Sequence, residues 1–192
     1  MPSLTFGGRL AVGLAVIFGL LLGGQVVAAT AETVSREYQV KAAFLYNFTK
    51  FIEWPAQHFA NEDRPVVIAV LGRNPFGEEL EQITKGRRVN GREITIAFID
   101  TPAAAAAADL VFVCAGEESR FEAMNTALRQ AQVLTIGESP RFAEAGGIIT
   151  FLREADKVRF AINLDSAGRA GLKISAQLLK LATEVQRKPK PP

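Results

Sequence analysis

The chain has one histidine, His58, and one cysteine, Cys114, so it has few ways to build a reactive centre. Nucleophilic catalysis needs a Ser, Cys or Thr beside a base, and no nucleophile motif lies near His58 in the sequence. The segment around it is polar, which predicts a solvated loop side chain. Zinc sites draw on several Cys or His ligands, more than one of each supplies. The paired carboxylates Glu78-Glu79 and Glu117-Glu118, together with Asp63, lie in polar surroundings and read as surface. Gly72-Arg73-Asn74-Pro75-Phe76-Gly77 joins an apolar run to a helix, a place where helix amides can hold an anion. It is neither G-x-G-x-x-G nor a Walker A loop, and no lysine follows to meet a phosphate; turn chemistry explains it. No catalytic, cofactor-binding or metal-ligating residue is assigned, which counts against an enzyme. Three polar residues stand out. Asn47 lies beside an aromatic stripe, where a buried amide must find partners. Asn163 closes a strand and Ser175 precedes a helix, so capping and ligand contact are both open to them.

The elements that must position these residues are organised around 38–55, YQVKAAFLYNFTKFIEWP. At helical spacing Val40, Phe44, Phe48, Phe51 and Ile52, flanked by Leu45 and Tyr38, form an apolar stripe, with Tyr46, Thr49, Lys50 and Glu53 opposite. Pro55 is expected to end this helix. The stretch holds both tyrosines and the only tryptophan, Trp54, so Phe44, Phe48 and Phe51 are assigned either to the core or to a dimer contact. Residues 65–71 form a continuous apolar run, the pattern of a strand covered on both faces. Asn74 is expected to cap a helix over 78–84, with Pro75 at its first position. An Asn90-Gly91 turn precedes a strand over 94–99; a low-complexity helix or filler over 103–108, a strand over 110–114, a helix over 119–130, a strand over 133–137 and a helix opened by Ser139-Pro140 follow. Strands alternating with helices give βαβ units. Segments 148–152 and 157–163 are joined too closely for a crossover and must form an antiparallel hairpin. A last helix over 174–185 places Ile174, Leu178, Leu181 and Val185 on one stripe. The expected fold is α/β: a three-layer sandwich with a mostly parallel sheet, helices on both faces and a C-terminal antiparallel hairpin.

The start of the chain differs. Arg9 is the only charge before Glu32, and 10–22 is apolar and ends in Gly23-Gly24. Ala29-Thr30-Ala31 has the spacing accepted by signal peptidase. This reads as a signal peptide over 1–31, with cuts after Ala28 or Ala29 as alternatives and a membrane anchor as the competing reading. One domain follows over 32–186, then a basic, proline-rich tail over 187–192. Without the leader the chain has 21 basic and 20 acidic residues, which is no nucleic-acid footprint. Cys114 has no partner in the sequence for an intramolecular disulfide and reads as a small buried hydrophobe.

YQVKAAFLYNFTKFIEWP and, at 158–182, VRFAINLDSAGRAGLKISAQLLKLA resemble two blocks shared by the YfiR family of bacterial periplasmic proteins. The resemblance spans about Glu37 to Ala182. It implies a periplasmic repressor that binds the periplasmic domain of an inner-membrane diguanylate cyclase and lowers cyclic di-GMP synthesis and biofilm formation. It also implies release through an outer-membrane lipoprotein, and a homodimer. Family members often carry disulfides in this domain; a lone Cys114 departs from that pattern. Partner contact is then assigned to Tyr46, Lys50, Glu53 and Trp54 on the first helix and to Arg153 and Arg159 on the hairpin. A periplasmic small-molecule binding module is the alternative, its crevice lined by the loops after Leu71, Ile99, Cys114 and Ile136.

Overall fold

The computed structural model describes residues 36–61 and 63–187. The expected leader over 1–31 and the tail beyond 187 lie outside the described residues. Helix α1 covers 36–51 and is followed by strand β1 (Ile52–Glu53) and a 3-10 turn (Ala56–Phe59). Then come β2 (Val66–Leu71), α2 (Glu79–Thr84), β3 (Arg88–Val89), β4 (Arg92–Ile99), α3 (Pro102–Ala106) and β5 (Leu110–Val113). The chain continues with α4 (Glu118–Gln130), β6 (Leu134–Gly137), α5 (Pro140–Glu144), β7 (Ile149–Glu154) and β8 (Lys157–Asn163). It closes with α6 (Leu164–Arg169), β9 (Lys173–Ile174), α7 (Ala176–Leu181) and β10 (Glu184–Gln186).

Eight strands form one sheet in the order β10-β8-β7-β6-β5-β2-β4-β3. The pairs are parallel except the hairpins β7-β8 and β3-β4. Alternation along the central strands divides the core in two. Ile68 and Val70 of β2 and Leu110 and Phe112 of β5 join Ala42, Leu45 and Phe48 of α1, Leu80 of α2, Ala167 of α6 and Leu178 of α7. Ala69, Leu71, Val111 and Val113 point the other way, against Ala105 of α3, Phe121 and Leu128 of α4 and Phe142 of α5. A one-residue slip in either strand would exchange the two sets, so burial on both faces fixes the register. The three-layer α/β sandwich with its C-terminal hairpin is the architecture observed.

Several local expectations are corrected. Helix α1 ends at 51, short of Pro55, because Ile52 and Glu53 leave it to pair antiparallel with Ile174 and Lys173. Its buried face is also rotated: Lys41, Tyr46 and Thr49 are buried, and Val40 is exposed. The last helix stops at Leu181; Ala182 is extended, and residues 184–186 add a parallel strand to β8 instead. Leu181 and Val185 are therefore exposed rather than packed on a stripe. Asn74 does not cap α2. Its Oδ1 accepts from the Phe76 amide at 2.9 Å, a tight turn that ends before the helix begins.

Candidate functional site

The first helix uses most of its aromatic side chains inside the domain. Phe48 is fully buried and Phe44 half-buried; both rings meet Phe151 and Phe160 of the hairpin, with centroids 5.1–5.9 Å apart. Phe51 is half-buried against the same core. These residues are core, so a dimer contact finds no support in them. Tyr46, expected on the partner face, is buried beside Val66 and Val89. Two cations lie over its ring, Lys50 Nζ 3.9 Å and Arg87 Cζ 4.9 Å from the centroid. Asn47 is exposed rather than buried, and its Oδ1 accepts from Lys50 at 3.1 Å.

Trp54 is half-buried and stacks near His58, its Nε1 donating to the Gln132 carbonyl at 3.1 Å. Glu53 is exposed on β1. On the hairpin, register separates the two arginines. Arg153 pairs with Val158, which packs toward α1, whereas Arg159 pairs with Leu152 and points to the opposite face. Lys50, Glu53 and Arg153 thus lie on the α1 side of the sheet, and Arg159 does not. Asn163 and Ser175 serve as helix caps, accepting from the Ser166 and Leu178 amides at 2.9 and 3.2 Å.

Two polar clusters escaped sequence reasoning. Lys41 lies within the apolar block yet is buried, and its Nζ reaches Glu138 Oε2 at 2.5 Å; Tyr38 Oη donates to the same carboxylate at 3.0 Å. A charge on the buried face of an amphipathic helix was the available signal, since such a charge requires a partner. The second cluster corrects the reading of His58 as solvated. Its side chain is 8% exposed, with Nε2 2.6 Å from Asp109 Oδ1 and Nδ1 3.1 Å from Gln132 Oε1. Asp109 is fully buried and also accepts from Arg64 Nη1 at 2.8 Å and the Val67 amide at 2.7 Å. Burial would raise its pKa, but the hydrogen bonds from His58, Val67 and Arg64 prevail and hold the carboxyl below its ordinary value. With three donors on it and no exposed surface, this carboxylate anchors β2 to β5 and is closed to a substrate.

Glu118, expected on the surface, is also buried and accepts from the Gly116 amide at 3.1 Å. Hydrogen bonding from Ser139 first, then from backbone amides, holds its carboxyl below the ordinary range. Among the described residues no group of three or more His, Cys, Asp and Glu could hold a metal ion. A cleft of about 330 Å³ opens beside α5, lined by Ser139, Ala143, Thr150, Leu152, Ala161 and Asn163, and Arg153 also borders it. Of the four loops expected to line a crevice, only the one after Ile136 contributes to it.

The sequence profile of the YfiR/HmsC-like family matches residues 38–183, the whole of this sheet and its helices up to the start of β10. The chain belongs to that family. YfiR/HmsC-like proteins are periplasmic, non-enzymatic regulators of cyclic di-GMP signalling. No curated protein matches the chain. Among solved structures, a conserved domain protein from Vibrio cholerae O1 biovar El Tor is 18% identical with a TM-score of 0.48, over 62% of this chain and 54% of that one. The ABC domain in complex with L-Trp from Streptococcus pneumonia is 14% identical with a TM-score of 0.47, over 63% and 55% respectively. The YfiR/HmsC-like chain described here thus spans about half the length of each. Among its described residues, no helix is long and apolar enough to cross a membrane.

Proposed function

We propose that this chain, as a YfiR/HmsC-like protein, binds the periplasmic domain of an inner-membrane diguanylate cyclase and inhibits it without doing chemistry, lowering cyclic di-GMP and biofilm formation. The family match over 38–183 carries the reading. It is supported by a domain whose one histidine is committed to Asp109 and whose one cysteine is buried. Residues 1–31 act as an export signal in this account, 32–186 as the regulatory domain and 187–192 as a basic tail. An outer-membrane lipoprotein is the natural releasing partner. A homodimer would have to form outside the Phe44, Phe48 and Phe51 stripe.

Deleting the gene should raise cellular cyclic di-GMP and surface attachment, and re-expression with the leader intact should reverse both. Unchanged cyclic di-GMP after deletion would sink the inhibitory reading. The cleft beside α5 favours a second role as a small-molecule binding module. Tight binding of a periplasmic metabolite together with unchanged cyclic di-GMP would put that role first.

A further inference from the structure

The two edges of the sheet are built differently. β10 is three residues long, and the sequence after it is basic and rich in proline, both devices that discourage strand addition. At the other edge β3 pairs only with Arg92 and Glu93, so β4 from Ile94 to Ile99 has no outer strand among the described residues. Those six residues, Ile-Thr-Ile-Ala-Phe-Ile, include no charge and no proline. Phe98 is 53% exposed.

The backbone direction follows from the hairpin. Val89 and Arg92 close the two-residue Asn90-Gly91 turn and exchange their hydrogen bonds, so the Arg92 N–H and C=O point outward, toward β3. By the two-residue period of a strand, Ile94, Ile96 and Phe98 point their peptide groups the same way, while Thr95, Ala97 and Ile99 face β2. Beside this edge, on the α1 side of the sheet, a shallow groove runs between β4 and α2. Ile94 and Ile96 line it together with Glu78, Glu81, Gln82, Thr84 and Lys85. Of its charged groups two are carboxylates and one is an ammonium.

We propose that the β4 edge is a strand-addition site for an extended, basic and apolar segment of a partner protein. Its backbone would bond to Ile94, Ile96 and Phe98, its apolar side chains would cover Ile96 and Phe98, and its lysine or arginine would meet Glu78 and Glu81. A second copy of this chain fits less well. Antiparallel pairing of β4 with its own copy requires a two-fold axis perpendicular to the sheet, which places both α2 rims on one face and sets carboxylates against carboxylates. This proposal goes beyond the cyclase-inhibitor reading and stands if that reading fails.

The test titrates the full chain, purified as the cell makes it, with a capped peptide Lys-Thr-Val-Thr-Lys-Thr, whose lysines and valine share one face of a strand, and with its counterpart carrying glutamate for lysine. Amide hydrogen exchange is followed residue by residue. The basic peptide should slow exchange at Ile94, Ile96 and Phe98 and bind more tightly than the acidic one, with a gap that closes at high salt as screening predicts. Ile96→Pro deletes one outward donor and no bond to β2, as an edge position allows; it should weaken binding about tenfold, the upper range for one hydrogen bond. Glu81→Lys, on the exposed rim, should abolish the preference for the basic peptide without unfolding the chain. Unchanged exchange at the three amides with either peptide would overturn the proposal. So would equal binding of the two peptides, or a concentration-dependent dimer that Ile96→Pro dissolves, which would make the occupant a second copy.

Discussion

Asp109 joins four parts of the chain through one side chain: the turn of His58, the approach to β2 at Arg64, the first turn of ladder at Val67, and β5 itself. A buried carboxylate with ionic partners costs most when it alone is removed, since the partner charge is then left behind. Asp109→Asn should therefore destabilise the domain by about 3 kcal/mol or more, read from urea unfolding at neutral pH. The pH dependence has a definite sign. Because the folded carboxyl lies below the ordinary 3.8, its stabilisation is present above that value and is lost as pH falls through the lower folded one. Acid unfolding of the wild type should steepen below pH 3.8, and the Asp109→Asn protein should lack that component. Cys114 behaves in the opposite sense. Burial first, then the charges of Glu138 and Glu117, push its thiol up to about 12. The thiolate is the reactive form, so a disulfide reagent at neutral pH should label the folded chain at least about a hundredfold more slowly than the urea-unfolded chain. Fast labelling of the folded protein would show the thiol to be accessible.

At the scale of elements, close packing of glycine against an aromatic ring joins α5 to β6 and β7. A Cβ at Gly137 or at Gly147 would overlap the Phe142 ring, which also packs on Phe121 at 4.6 Å. Gly147→Ala should cost about 1–3 kcal/mol by overpacking, measured as a lower denaturation midpoint; Gly77→Ala, with open space around it, should cost only its positive-φ strain. The long elements were readable in the sequence because one physical cause fixes each. β2 and β5 are continuous apolar runs, α4 repeats at helical spacing, and Ser139-Pro140 supplies a cap with proline behind it. The short elements were not readable. β1, β9 and β10 have two or three residues each, and long-range pairing decides their state: Ser175 N donates to Phe51 O, and Thr183 N donates to Phe160 O. Local helical preference at 182–185 gives way because β8 would otherwise present Ala161, Ile162 and Asn163 as an open edge. For the same reason the His58 and Lys41 clusters were invisible, since their partners lie 51 and 97 residues away. What the sequence did show of the candidate surface was its residue types, but not their facing; Tyr46 turned inward and Arg159 turned to the other side.

Over the whole molecule, the two blocks that carry the family resemblance meet in space. β1 pairs with β9, and Phe44 and Phe48 pack on Phe160, so the first helix and the C-terminal segment form one layer on one face of the sheet. The exposed side of that layer includes Lys50 and Glu53, and Arg153 projects from the same face of the hairpin. If the cyclase docks there, a change of charge on this side should matter and the same change across the sheet should not. Arg153→Glu should weaken binding to the purified periplasmic domain of the cyclase by about two- to fivefold, mainly through slower association, as expected for a rim charge. Arg159→Glu, on the opposite face and only 3.9 Å from Glu154, should leave association unchanged. Both are exposed positions, where substitutions ordinarily shift stability by about 0.5 kcal/mol or less, so equal melting curves would tie any difference to docking. Trp54→Ala is a less clean probe, because losing the indole also removes the bond to Gln132 and the contact with His58. Its binding loss should exceed that of Arg159→Glu and should be accompanied by a lower midpoint of unfolding. Surface plasmon resonance at two salt concentrations distinguishes the outcomes. A salt-sensitive loss confined to Arg153→Glu places the partner over α1, whereas a loss confined to Arg159→Glu moves it to the opposite face of the hairpin and removes Lys50, Glu53 and Arg153 from the interface.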